Sequence, residues 1–168
     1  ANIIDPSEAC GIVGAQSIGE PGTQMSVPFD EKIIIKQNQK IRICEIGEFV
    51  DSVMQNHTVN NIHKSEVCDL SADEEIYVPS LNQNEKIEWK RIVSCSRHKS
   101  PQKLLRLKTR SGRTIRATDA HSFVIRSNNE IIPIAGKDLT VGERIPVLKR
   151  LKENCVHALD LGNYLQIN

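Results

Sequence analysis

Leu104–Thr118 reads LLRLKTRSGRTIRAT. Leu105, Leu107 and Thr109 alternate with Arg106, Lys108 and Arg110. A period of two belongs to a strand with one dry face and one wet face. The Ser111-Gly112 turn follows, and Thr114–Thr118 returns as the second strand of a hairpin. The flanking segments repeat the plan. HSFVIRSNNEIIPI (His121–Ile134) turns at Asn128-Asn129, and KIIIK (Lys32–Lys36) turns at Gln37-Asn38 into a strand over Lys40–Cys44. Glu75–Leu81 and Ile87–Cys95 pair around Asn82-Gln83-Asn84, and Glu143–Leu148 adds a last strand. Roughly eight short strands between frequent turns predict a mainly β, antiparallel domain.

Helical signals are brief. Ile46, Phe49, Val50 and Val53 recur at helical spacing just after Glu45. Near the start, Asp5 or Ser7 caps a helix with Pro6 and Glu8 in its first turn. Its small residues Ala9, Gly11, Gly14 and Ala15 expect a closely packed partner, and Gly19-Glu20-Pro21-Gly22 ends it. Gln55–Glu74 is polar without a period and reads as a loop, and His157–Leu165 reads as a short helix or the start of a linker.

The 168 residues, with 39% hydrophobic and 26% charged, are globular in composition. A net charge of +1 advertises neither a nucleic-acid nor a membrane partner, and no run is long enough to span a bilayer. The RLKTRSGRTIR charges read as the wet face of a hairpin, His98 as a solvated turn residue, and Trp89 and Phe123 as core. Five cysteines and five histidines are scattered without a CxxC pair, so neither a metal site nor a cofactor is expected. A reducing, cytoplasmic setting fits that cysteine usage.

Two resemblances organise the chain. EACGIVGAQSIGEPGTQM (Glu8–Met25) resembles the largest subunit of prokaryotic multisubunit RNA polymerases, in archaea the A double-prime part. In that family the segment leads into the trigger loop and continues past QM with Thr-Met-Arg. Here SVPFDEKIII follows instead. From Ser26 onward the chain resembles an intein, a self-excising element with the Hint fold. Inteins open on Cys or Ser, and Ser26 stands at that position. KIIIK with ICEIGEFVD is similar to the first intein block, TRSGRTIRATDAHSFVI (Thr109–Ile125) to the second, and DLTVGERIPV (Asp138–Val147) to the next. VHALDLGNYL (Val156–Leu165) resembles the passage into a homing-endonuclease insert. The expected divisions are residues 1–25 as a helical host segment, 26–150 as an incomplete antiparallel Hint domain, and 151–168 as a tail.

The resemblance implies protein splicing, beginning with an acyl shift at the Met25–Ser26 bond. Ser26 is then the nucleophile, His121 the group that protonates and polarises the scissile amide, and Thr118 the residue that holds the peptide. If Thr118 ends one strand and His121 starts the next, the turn between them aims both side chains at one spot. The family's closing blocks have no match here, and Asn168 follows Ile167 rather than His. Splicing therefore calls for a missing C-terminal intein segment, in cis or in trans, and for the downstream host. The spliced host's partners would be the other polymerase subunits and DNA or RNA. The upstream half of a split intein and a decayed intein are variants of the same reading. A different class is a β-domain that is never excised and serves the polymerase as a binding module. Its place where the trigger loop must fold argues against retention.

Overall fold

The computed structural model describes residues 25–82, 84–99 and 103–146. The helix expected at 5–18, its Gly/Pro stop and the tail at 151–168 lie outside them. Elsewhere the chain is built from antiparallel strand pairs.

β1 (Lys32–Gln37) and β2 (Lys40–Glu45) form a hairpin from Lys32↔Glu45 to Gln37↔Lys40. Asn38 and Gln39 both take positive φ (52° and 61°), as a type I′ turn requires. β2 runs straight into the helix α1 (Ile46–Met54), whose Phe49, Val50, Val53 and Met54 are buried. The following segment corrects the expected loop over Gln55–Glu74. It contains β3 (Asn60–Ile62) and β4 (Ser65–Asp69), joined through His63 and Lys64 at φ 46° and 68°. This turn has the same conformation as the first without the Asn or Gly that announces it, which is why it reads as featureless.

β5 (Ile76–Leu81) pairs with β6 (Ile87–Arg91). The single strand expected over Ile87–Cys95 is broken at Ile92-Val93, and β7 (Ser94–His98) joins β4 instead. The break is a change of sheet: Ile92 N–H still bonds Ile76 O (2.8 Å), whereas Val93 O accepts from Leu70 N–H (2.9 Å). The sheets run β2-β1-β5-β6 and β3-β4-β7.

β8 (Leu105–Lys108) and β9 (Thr114–Ala117) form the hairpin read from sequence, with Gly112 at φ 90° in its loop. β10 (Ser122–Ser127) and β11 (Glu130–Ala135) turn at Asn128 and Asn129, both at positive φ, and a short 3₁₀ turn follows over Gly136–Asp138. The last strand expected at Glu143–Leu148 is not formed over 143–146. One bond, Arg126 N–H to Arg144 O (2.8 Å), links that segment to β10, and Pro146 has no N–H to extend it. Positions 147 and 148 lie outside the described residues.

One core joins these pieces: Ile33 and Ile35 of β1, the buried face of α1, Cys68, Ile76, Val78, Cys95, Ile115, Ala117 and Phe123. Ile33, Ile34 and Ile35 of β1 are all buried, so the strand is dry on both faces there, which explains their unbroken run. Trp89 departs from the core role expected of it. It is half-buried beneath the Lys36 ammonium, 5.1 Å from the ring centre, with Tyr77 5.5 Å from the same ammonium. His98 likewise ends β7 half-buried, its Nδ1 2.8 Å from Lys99 O, rather than sitting in a solvated turn. Arg106, Lys108 and Arg110 are exposed, the wet face expected of them, whereas Arg113 and Arg116 of the same run are half-buried, Arg116 because its guanidinium turns onto Glu31. Ile35 is fully buried, and Ile35→Ala should cost about 3 kcal/mol, read as a lowered urea midpoint with an unchanged m-value.

Candidate splice-junction site

The site is built on the turn between β9 and β10. Thr118 directly follows β9 and His121 directly precedes β10, and His121 N–H closes the turn on Thr118 O (3.0 Å). The 3₁₀ turn clamps it from outside: Gly136 N–H bonds His121 O and Lys137 N–H bonds Asp119 O, both at 2.8 Å. Such an approach needs glycine at 136. A Cβ there would lie 2.8 Å from the Leu105 side chain, 3.1 Å from the Phe123 ring and 3.3 Å from Asp119 O. Sequence reasoning passed over Gly136, whose only signal was a glycine between a strand and a polar turn.

Ser26 lies against this turn. Its N–H donates to Thr118 Oγ1 (3.1 Å), and its carbonyl accepts from Thr118 N–H (2.9 Å). One residue thus grips the Ser26 backbone on both sides, across 92 positions of sequence. The nitrogen so held belongs to the Met25–Ser26 peptide bond. Met25 and Ser26 are half-buried, while Thr118 is almost wholly enclosed.

His121 is fully buried, with its ring 5.0 Å from the Phe123 ring at a tilt of 59°. Burial holds its pKa down, to about 3, because the charged ring would lose its hydration. The imidazole is therefore neutral at physiological pH. Neither ring nitrogen has a hydrogen-bond partner among the described residues. A buried polar atom left so is costly, and such atoms collect where chemistry needs them. The three residues singled out from sequence thus meet at one turn. No group of three or more His, Cys, Asp or Glu among the described residues is placed to hold a metal ion. None of the described helices is long and apolar enough to cross a membrane.

Comparison with known proteins gives this geometry a family. The pattern described as "Intein splicing domain" matches residues 33–161. The chain is 54% identical over 166 residues to DNA-directed RNA polymerase subunit Rpo1C of Methanocaldococcus jannaschii, covering 99% of this chain and 19% of that protein. It is 30% identical over 134 residues to Transcription initiation factor IIB of the same organism, covering 80% of this chain and again 19% of the relative. The chain thus spans about a fifth of the length of these curated relatives. The crystal structure of the Mvu transcription factor IIB mini-intein superposes with a TM-score of 0.70 at 26% identity, over 77% of this chain and 72% of the other. With most of its length inside that pattern, the chain belongs to the intein splicing-domain family.

Proposed function

We propose that the chain carries out the first step of protein splicing, an acyl shift at Met25–Ser26, within an archaeal RNA polymerase subunit of the Rpo1C type. The observation that carries it is the double grip of Thr118 on the Ser26 backbone. Residues 1–25 are then the upstream host, 26–150 the splicing region, and 151–168 the start of an insert or linker. The match over nearly the whole chain to a polymerase subunit, and over four-fifths of it to a transcription factor, supports an element that occupies unrelated hosts. Family membership favours excision over a retained binding module. Completion calls for a C-terminal intein segment, in cis or in trans, and a downstream host segment. Other polymerase subunits and nucleic acid would concern only the spliced product, and the setting is cytoplasmic.

In this step Ser26 Oγ attacks the Met25 carbonyl carbon. A C–O bond forms, the C–N bond breaks, and the seryl proton ends on the freed Ser26 amine. The exchange is proton-neutral overall, so a neutral imidazole suits it: His121 takes the seryl proton and returns one to the departing nitrogen. Thr118 fixes the peptide through its N–H, leaving the carbonyl side to move toward the tetrahedral geometry.

Hydroxylamine traps such an ester as a chain break after Met25, and the test uses the full-length precursor. Thr118→Val keeps shape but removes the acceptor for Ser26 N–H. Its cleavage should slow about a hundredfold, with Thr118→Ser far closer to the parent. Equal rates for the valine and threonine proteins would remove the grip from the mechanism.

A further inference from the structure

Strand β9 has two edges. One pairs with β8; the amides of Arg116 and Thr118 face the other, as residues two apart in a strand do. On that outer edge Thr118 N–H meets the Ser26 carbonyl. Arg116 N–H meets not a carbonyl but the side chain of Glu31, at 3.1 Å from Oε1, and the same oxygen takes Arg116 Nε at 2.8 Å. Arg116 Nη2 also reaches Asp30 Oδ2 at 2.8 Å. Glu31 is buried, so its charge is out of water and depends on these donors.

The backbone of Glu31 is tied elsewhere. Its carbonyl accepts from Ile46 N–H (2.8 Å), and the Phe29 carbonyl accepts from Gly47 N–H (2.9 Å), both at the start of α1. The Phe29 ring lies where a Cβ on residue 47 would stand, 2.0 Å from its nearest ring atom, so only glycine admits this seat. The lead-in 28–31 is thus anchored to α1 by its backbone and reaches β9 through one carboxylate.

We propose that Glu31 is a positioning residue for the scissile bond. Its carboxylate forms the second rung of a short ladder whose first rung is Ser26 on Thr118, and so sets the register in which Ser26 meets the β9–β10 turn. A backbone rung could slip along the edge; a side chain of fixed length on an anchored backbone cannot. The inference rests on Ser26 being the nucleophile, and its test separates the two.

Glu31→Gln keeps the length and the acceptor oxygen but loses the charge. Glu31→Asp keeps the charge and loses one methylene of reach. If the carboxylate sets register, reach matters more than charge. Glu31→Asp should slow hydroxylamine cleavage of the full-length precursor by at least about tenfold, and Glu31→Gln should stay within about threefold of the parent. Hydrogen exchange by mass spectrometry supplies a readout free of the chemistry. In a Ser26→Ala background, which keeps the carbonyl that Thr118 holds, peptides covering 116–121 should exchange at least about tenfold faster in Glu31→Asp than in Glu31→Gln. The reverse order would make ion pairing with Arg116 the sole contribution and overturn the proposal. So would equal exchange in all variants, or a rise spread equally over β1, β2, β10 and β11. If no Ser26 protein cleaves yet the exchange order holds, the acyl-shift reading fails and the positioning role stands.

Discussion

Ser26→Ala should abolish hydroxylamine cleavage after Met25 in the full-length precursor, leaving any residual break at the background of ordinary peptide hydrolysis. The methyl group has no lone pair to attack the Met25 carbonyl, and nothing else in the described site offers a hydroxyl on the same backbone. The substitution is structurally mild. Both contacts that hold residue 26 are made by its main chain, to Thr118 Oγ1 and Thr118 N–H, so alanine keeps them. The loss should therefore appear in the rate with little change in melting temperature. Cleavage of the alanine protein at an undiminished rate would remove Ser26 as the nucleophile. Ser26→Cys makes the companion test: a thiol at that position should form a thioester that dithiothreitol also releases.

His121→Ala should lower the same cleavage by two to four orders of magnitude, the usual worth of a positioned acid–base group. Because the ring is neutral, the parent's rate should stay level between pH 6 and 8. A rate falling above pH 7 would identify an imidazolium donor instead. The same burial predicts an acid-side cost to stability. The folded pKa of His121, about 3, lies below its ordinary 6.5, so between those values the unfolded chain binds the extra proton. Stability should fall as pH drops below 6.5, by about 5 kcal/mol in all if this group acted alone. His57 has the opposite sign. Its hydrogen bond to Glu74 (2.7 Å) raises its pKa, so its contribution is complete below 6.5 and fades as pH rises through the raised value. The carboxylates whose pKa values are lowered, Glu74, Asp30, Glu66 and Glu88, weaken the fold only in more acidic solution. Denaturant titrations from pH 5 to 8 can separate the histidines. His121→Phe should flatten the slope below 6.5, and His57→Gln the slope above it. An unaltered acid slope in His121→Phe would mean that the ring is protonated in the folded protein.

The hairpins at Asn38, Ser111-Gly112 and Asn128-Asn129 were legible because their turn residues declare the backbone they need. The hairpin at His63-Lys64 was not, because it takes the same positive φ values with residues that rarely adopt them. The strand over Ile87–Cys95 reads as one run because its residues suit a strand throughout; its break is a choice between two sheets, made by distant partners Ile76 and Leu70. Trp89 reads as core by its size, yet sheet position leaves it half-buried under Lys36.

By itself the sequence determined the mainly antiparallel β architecture, through its period of two and its turns. It also pointed to a junction at Met25–Ser26 and to the candidate trio Ser26, Thr118 and His121, through a broken host pattern and a resemblance. These are local signals, carried by residues a few positions apart. Tertiary structure alone decided that Thr118 grips Ser26 at both N–H and C=O, that burial holds His121 neutral, and that Glu31 reaches the amide of Arg116, 85 positions away. It also set Cys68 opposite Cys95 across β4 and β7, although they are far apart in the chain. Hydrogen bonding across an edge and loss of water around a ring depend on which strands meet. That is a property of the packed chain, and no local period of residues encodes it.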